Sequence, residues 1–457
     1  MELHRDIYGE LLAWKEESQG RTALLVEGAR RVGKSTIVEK FARENYRSYI
    51  LIDFARAPRV VRDDFDENLS NLDRFFQVLS LQYGTRLFPR ESLIVFDEVQ
   101  RFPRAREAIK YLVADGRYDY IETGSLISIR ENVERIVVPS EERKIKMHPL
   151  TFPEFLVASE EEPLLDYIRT CYRDRKPLEN AFHKRASYLV REYMLVGGMP
   201  QSVVAYLEDG RDFVAADVQK RQILDLYRDD IKKAARRYKS RVSALFEYIP
   251  GYLSTHEKKV VLANVEAGGE FDAYDDPLFW LGDSMICNLC YRCTDPHVGL
   301  ALARDDSAVK CYMADTGLLV SLAFSENELS SMELYRKIMA GRLSLNEGML
   351  HENLAAQTLT SAGRSLYFYT HYSEEKHRND VEIDFLLSNE SKMNLRVVPI
   401  EVKSAKNYTT SSYDAFRSRF GSRIGESVIV HPKAYAADAK GVRVPTYMFF
   451  CVAEDYR

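Results

Sequence analysis

Cysteine and tryptophan are scarce in this chain, at six and two of 457 residues. Thiols that sparse cannot build a disulfide scaffold, and they fit a reducing compartment. Long apolar runs are missing as well. No window approaches the roughly 18 to 20 consecutive apolar residues that a membrane-spanning helix needs, so no contact with a membrane is expected. The opening residues Glu2, His4, Arg5 and Asp6 lead into Tyr8-Gly-Glu-Leu-Leu without an apolar core or a small-residue cleavage site; a cytoplasmic protein without a secretory leader is expected. Neither sign of charge dominates: 69 acidic and 64 basic residues leave a net charge of −5. The molecule as a whole is therefore no electrostatic magnet for nucleic acid, and any such contact must be local. Internal repeats and low-complexity segments are absent too, so the chain divides by changes of pattern instead.

What remains is the balance of a soluble globular protein, with 46% hydrophobic and 29% charged residues. A chain this long exceeds what one hydrophobic core supports, so an α/β multidomain architecture is expected. Residues 1–150 alternate strand and helix signals. Short apolar runs at 23–27, 49–54, 92–96 and 118–122 read as buried parallel strands. Residues 151–241 turn helical, with periodic Phe155, Leu156, Leu164, Leu165 and Ile168, and read as a helical lid. Residues 242–340 read as short helices followed by a two-stranded ribbon at 286–294 and 309–314, the order of a winged helix. Residues 341–457 read as a separate α/β domain, with a helix at 348–362 and strands at 365–370, 381–387, 396–404 and 427–431.

Chemistry concentrates first at Gly28-Ala-Arg-Arg-Val-Gly33-Lys34-Ser35, which matches the P-loop pattern in full. The apolar Leu24-Leu25-Val26 precedes it and an amphipathic run with Ile37, Val38 and Phe41 follows, the strand-loop-helix setting such a loop requires. Backbone N–H groups around Gly28, Arg31 and Gly33, together with Thr36 at the helix start, would cradle the phosphates of ATP. Lys34 would reach the β- and γ-phosphates, and the Ser35 hydroxyl would ligate Mg²⁺. Downstream, Ser92-Leu-Ile-Val-Phe-Asp97-Glu98 ends an apolar strand in two carboxylates. Asp97 would hold the Mg²⁺ shell and Glu98 would act as general base. The strand candidate between the two motifs and the Glu beside the Asp favour hydrolysis over phosphoryl transfer. Thr123 or Ser125, at the end of the fourth strand, would sense the γ-phosphate, or simply form a turn. Arg101, Arg104, Arg130, Arg135 and Arg143 are all candidates for an arginine finger, and the sequence does not choose among them.

With these residues in place the chain resembles prokaryotic ATPases that carry an AAA-type domain followed by a C-terminal domain of the kind called DUF4143. Further matching blocks are Asp97-Glu98-Val-Gln100, Pro149-Leu-Thr-Phe-Pro-Glu-Phe155, Gly197-Gly-Met-Pro200 and Tyr312-Met-Ala-Asp315-Thr-Gly317. His351-Glu352-Asn353, Glu382-Ile-Asp384-Phe385 and Pro399-Ile-Glu401-Val-Lys403-Ser404 complete the series. The resemblance implies ATPase activity, a winged helix and a nuclease-like C-terminus. It departs from the usual pattern at Pro139-Ser-Glu-Glu-Arg143, where many members carry Gly-Arg.

Asp384, Glu401 and Lys403 reproduce the spacing of a restriction-endonuclease-like core, with Glu352 on the preceding helix as a fourth member. Carboxylates from adjoining strands could bind a divalent cation, and a lysine two residues along faces the same side. Glu-x-Lys also occurs at Glu142, Glu257 and Glu374, but only Glu401 sits in an apolar strand. A nucleic-acid-binding or purely architectural domain remains the alternative. Cys287, Cys290, Cys293 and Cys311 suggest a metal site, yet alternation along a strand would put Cys290 opposite Cys287 and Cys293. The basic run from Lys232 to Arg241 is either a phosphate-contacting face or a solvated helix face. Two readings of function follow: an ATP-dependent enzyme acting on or at DNA, or a non-nucleolytic ATP switch that regulates a protein partner. Oligomerisation is compatible with both.

Overall fold

A computed structural model describes residues 1–125, 141–234, 239–255, 275–297, 299–324, 332–340, 347–375, 377–389, 396–438 and 441–456. They group into two compact units, one of residues 4–148 with 283–285, the other of 1–3, 149–282 and 286–457. Among the described residues no helix is long and apolar enough to cross a membrane.

The first unit is built on five parallel strands: β1 Ala23–Glu27, β2 Ser48–Asp53, β3 Ser92–Asp97, β4 Asp119–Gly124 and β5 Glu142–Lys146. Their order across the sheet is β2-β3-β4-β1-β5. Every residue of β1, β3 and β4 is buried, as the central strands of a sheet covered on both faces must be. One face carries a core of Leu25, Ile94, Phe96 and Tyr120 with Phe65, Phe75 and Leu112 from the helices. Strand β4 lies between the strand that enters the P-loop and the strand that ends in the acidic pair, which sets both motifs at the same end of the sheet. Strand β5 has no apolar run to announce it. It is a charged edge strand in which Ile145 and the side chain of Glu142 are enclosed, the latter with the Arg106 guanidinium reaching both carboxylate oxygens at 2.9 Å.

The second unit opens with six helices, Phe152–Ala158, Glu162–Arg173, Asn180–Val196, Pro200–Glu208, Phe213–Ala234 and Lys239–Leu253. An eight-stranded mixed sheet follows: β6 Cys287–Cys293, β7 Arg304–Met313, β8 Leu366–Ser373, β9 Arg378–Asn389, β10 Arg396–Val402, β11 Ser427–His431, β12 Ala436–Asp438 and β13 Gly441–Pro445. Its order is β12-β13-β11-β10-β9-β8-β6-β7. Here one expectation is corrected. Strands β6 and β7 do form an antiparallel ribbon, but β6 also pairs in parallel with β8, so the ribbon is the end of the C-terminal sheet and not a free-standing wing. The boundary at 341 cuts through one continuous sheet. Strand alternation locates a strand but not the strand beside it, which is why pattern alone detached the ribbon.

Three of the short sequence blocks meet at one joint inside this unit. The Leu150 N–H donates to the Gly198 carbonyl at 2.7 Å, and the Gly198 N–H donates to Asp315 Oδ2 at 2.5 Å. A Cβ on Gly317 would lie 2.5 Å from the Gly197 nitrogen, and Gly197 itself has φ +80°. Glycine is needed on both sides of so close a backbone approach. Asn353 and Gln357 of the helix Glu347–Ser361 complete the joint by bonding Met313 and Thr316.

Candidate functional site

Strand β1 ends at Glu27, the loop turns through Arg31 at φ +72° and Gly33 at φ +98°, and the helix Lys34–Asn45 starts at once. A side chain at Gly28 would collide with the Met147 carbonyl oxygen 2.5 Å away, so only glycine lets the loop curl this tightly. Arg5 braces the loop from behind: its guanidinium donates to the carbonyls of Val32 at 2.9 Å and His148 at 2.6 Å. Sequence reading missed this buried arginine, which lies outside every recognisable motif. Arg31 and Thr36 are exposed on the loop and the first helical turn.

The Lys34 ammonium donates to the carbonyls of Gly28 and Ala29, both at 2.9 Å. Burial lowers its pKa to about 8 against the opposing pull of Glu98 and Asp97. The Ser35 hydroxyl donates to Asp97 Oδ1 at 2.7 Å, and the Thr123 hydroxyl donates to the same oxygen. Thr123 also accepts from the Glu98 N–H at 3.4 Å, while Ser125 follows the strand end. The structure thus brings Lys34, Ser35, Asp97, Glu98 and Thr123 together. Glu98 has φ +55°, a strained conformation for a residue with a side chain. Its carboxylate accepts from Gln100 Nε2 at 2.7 Å and lies 3.7 Å from Arg101 Nε.

These groups fit ATP with Mg²⁺. The loop excludes any side chain at Gly28, the lysine rests on carbonyls and not on carboxylates, and a hydroxyl and a carboxylate oxygen stand in contact as hard oxygen donors would. Of the arginine candidates, Arg143 pairs with Glu17 and Arg104 with Glu107, leaving Arg101 as the one beside Glu98. Arg130 and Arg135 lie outside the described residues.

In the second unit Glu352 comes from the helix Glu347–Ser361, Asp384 from β9, Glu401 from β10, and Lys403 follows β10. Asp384 Oδ2 accepts from the Val402 N–H at 2.8 Å, which joins the two strands' acidic ends. Burial pushes the Glu401 carboxyl up to about 7, although Lys403 stands 3.2 Å away. A residue absent from the sequence reading sits at the centre. Lys310 of β7 lies 3.2 Å from Glu352, 3.5 Å from Glu382 and 3.9 Å from Asp384. The Tyr312 hydroxyl donates to the same Glu352 oxygen.

The expected divalent-cation site of Glu352, Asp384 and Glu401 does not fit this geometry. One ammonium already stands within salt-bridge distance of the first two, Glu401 is turned to Lys403, and among the described residues no three His, Cys, Asp or Glu side chains converge to hold a metal. The signal that could have revealed Lys310 is a lone lysine inside the apolar stretch Val309 to Met313. The thiols nearby are divided: Cys290 stands opposite Lys310 on the neighbouring strand, while Cys293 packs with Tyr369 and Phe416. In the basic run Lys232 pairs with Asp229 at 3.6 Å, and residues 235–238 lie outside the described residues.

Comparison with known proteins places three families along the chain. An AAA domain matches residues 20–156, a domain of unknown function (DUF8612) matches 187–329, and a domain of unknown function (DUF4143) matches 347–448. No curated protein matches the chain. Among solved structures, a Walker-type ATPase of Pyrococcus abyssi is 16% identical at a TM-score of 0.40, with 70% of this chain and 96% of that one covered. The Aeropyrum pernix ORC1 protein, solved in complex with DNA, is 13% identical at a TM-score of 0.29, covering 72% and 93%. Drosophila ORC bound to DNA is 12% identical at 0.27, covering 74% and 96%. The family matches and the sheet order, not these TM-scores, carry the assignment. The chain joins a P-loop ATPase domain of the AAA type to a C-terminal DUF4143 domain.

Proposed function

We propose that the chain hydrolyses ATP and uses the nucleotide state as a switch, with Glu98 as general base. The observation that carries this reading is the hydrogen-bonded set of Ser35, Asp97 and Thr123 next to a lysine held only by two carbonyls. Lys34 exchanges those carbonyls for phosphate oxygens. Ser35 and Asp97 would hold the cation, and Thr123, tied to both acidic residues, would register the γ-phosphate. Bound Mg²⁺ supplies neutralisation of phosphate charge. Gln100 and Arg101 both approach Glu98 Oε2, so they orient the carboxylate and leave Oε1 to take a proton from water. ATP hydrolysis by wild type, Lys34→Ala and Glu98→Gln tests this. Loss of binding in the first and retained binding without turnover in the second is expected; wild-type turnover by Glu98→Gln would remove Glu98 as the base.

For the purpose of hydrolysis, the Lys310 geometry favours regulation of a protein partner over cleavage of nucleic acid. Turnover measured with and without DNA separates the two readings. A rate that DNA leaves unchanged supports the protein-directed switch, and a DNA-stimulated rate supports action at nucleic acid.

A further inference from the structure

Four carboxylates crowd one end of the C-terminal sheet: Glu352, Glu382, Asp384 and Glu401. Left alone, such a cluster would repel itself and either take up protons or recruit a cation. The chain brings cations of its own. Lys310 is completely buried, so its ammonium cannot swing out to make room for an ion from solution. Burial alone would lower its pKa, but Glu352, Glu382 and Asp384 outweigh that and hold it above the ordinary lysine range. Neighbouring groups fix it further. The Phe368 ring lies 5.0 Å from the ammonium, and Tyr312 donates to the Glu352 oxygen that faces it. The strand that delivers it, β7, is paired to β6, which is itself paired to β8, so the lysine is anchored by the sheet and not by a loop.

We infer that Lys310 is a built-in counter-ion occupying the position a divalent cation would take, and that the DUF4143 domain of this chain works without a metal. This is independent of the ATPase reading. Strand β7 is thereby an integral part of that domain's charge balance, although it lies upstream of the residues that match the DUF4143 family.

The test is thermal unfolding of nucleotide-free protein with and without Mn²⁺, in an Asp97→Asn background so that the P-loop contributes no metal site. With Lys310 in place, Mn²⁺ should leave the midpoint of the second unit unchanged. Lys310→Ala opens the cluster, and Mn²⁺ should then raise its midpoint by several degrees, an effect lost again in Lys310→Ala/Asp384→Ala. Should Lys310→Ala fail to fold, Lys310→Met/Glu352→Gln/Asp384→Asn removes the cation together with two of its carboxylates and is expected to fold without responding to Mn²⁺. Its failure to fold would overturn the counter-ion role. An Asp384-dependent Mn²⁺ shift with Lys310 intact would overturn the proposal, as would a folded Lys310→Ala that Mn²⁺ does not stabilise.

Discussion

Each unit contains a buried lysine near two or more acids, yet the two lysines are in opposite states. Lys34 rests on the carbonyls of Gly28 and Ala29, and burial lowers its pKa to about 8. Lys310 rests on carboxylates that hold its charge above the ordinary range. Carbonyl dipoles are weak partners that a phosphate outcompetes, whereas a buried carboxylate can be left only by stranding its charge. The same residue type is therefore poised for a ligand in one unit and already satisfied in the other. Sequence motifs register which residues are present; they do not register which partner each has found.

The largest expected effect would break the comparison at its N-terminal side. Glu98→Gln should lower turnover by about 10²- to 10⁴-fold, the range for a removed general base, while fluorescent ATP analogues still bind. Lys34→Ala should instead lose binding. Next in size is stability. Lys310→Met should cost about 3–5 kcal/mol in chemical denaturation of the second unit, because it strands buried carboxylates. Lys403→Met should cost less, on the order of 1 kcal/mol, since Lys403 is partly exposed and Glu401 can take up a proton. Equal losses from the two would erase the distinction between an enclosed counter-ion and a partly open one.

Much of the first unit was legible because its signals are local. The strands at 23–27 and 92–97 are unbroken apolar runs, and the P-loop and acidic pair follow them directly. Strand β5 was not legible, since its burial rests on Arg106 thirty-six residues upstream of Glu142. In the second unit the strand at 427–431 was found to the residue, while the strand at 309–314 was read as part of a wing and its Lys310 went unremarked. Its partners lie 42 to 74 positions away, and no spacing rule links them. The blocks at Gly197-Gly198 and Asp315-Thr-Gly317 carried the family resemblance, but their meaning is a backbone joint. Gly317→Ala should accordingly destabilise the second unit by about 1–3 kcal/mol through overpacking against Gly197, without altering nucleotide binding. Calorimetric unfolding alongside an ATP-binding assay checks both halves of that statement.

The smallest effects are in pH. Below about 8 Lys34 carries its charge and ATP affinity should be level; above it the free site loses the proton that bound phosphates would retain, so affinity falls as pH rises. Calorimetry in buffers of different ionisation enthalpy should show proton uptake on ATP binding near pH 8. Glu401 acts on stability, in a lower pH range. Its folded pKa of about 7 exceeds the ordinary value of 4.5, so wild type should lose stability relative to Glu401→Gln as pH rises from about 4.5 through 7, and stay level above that.

The contrast between the two lysines is tested most directly by counting Mn²⁺ ions bound per chain by electron paramagnetic resonance, with and without a non-hydrolysable ATP analogue. The account predicts one bound ion that requires the analogue, disappears in Asp97→Asn and persists in Asp384→Ala. A second ion bound without nucleotide and lost in Asp384→Ala would contradict it.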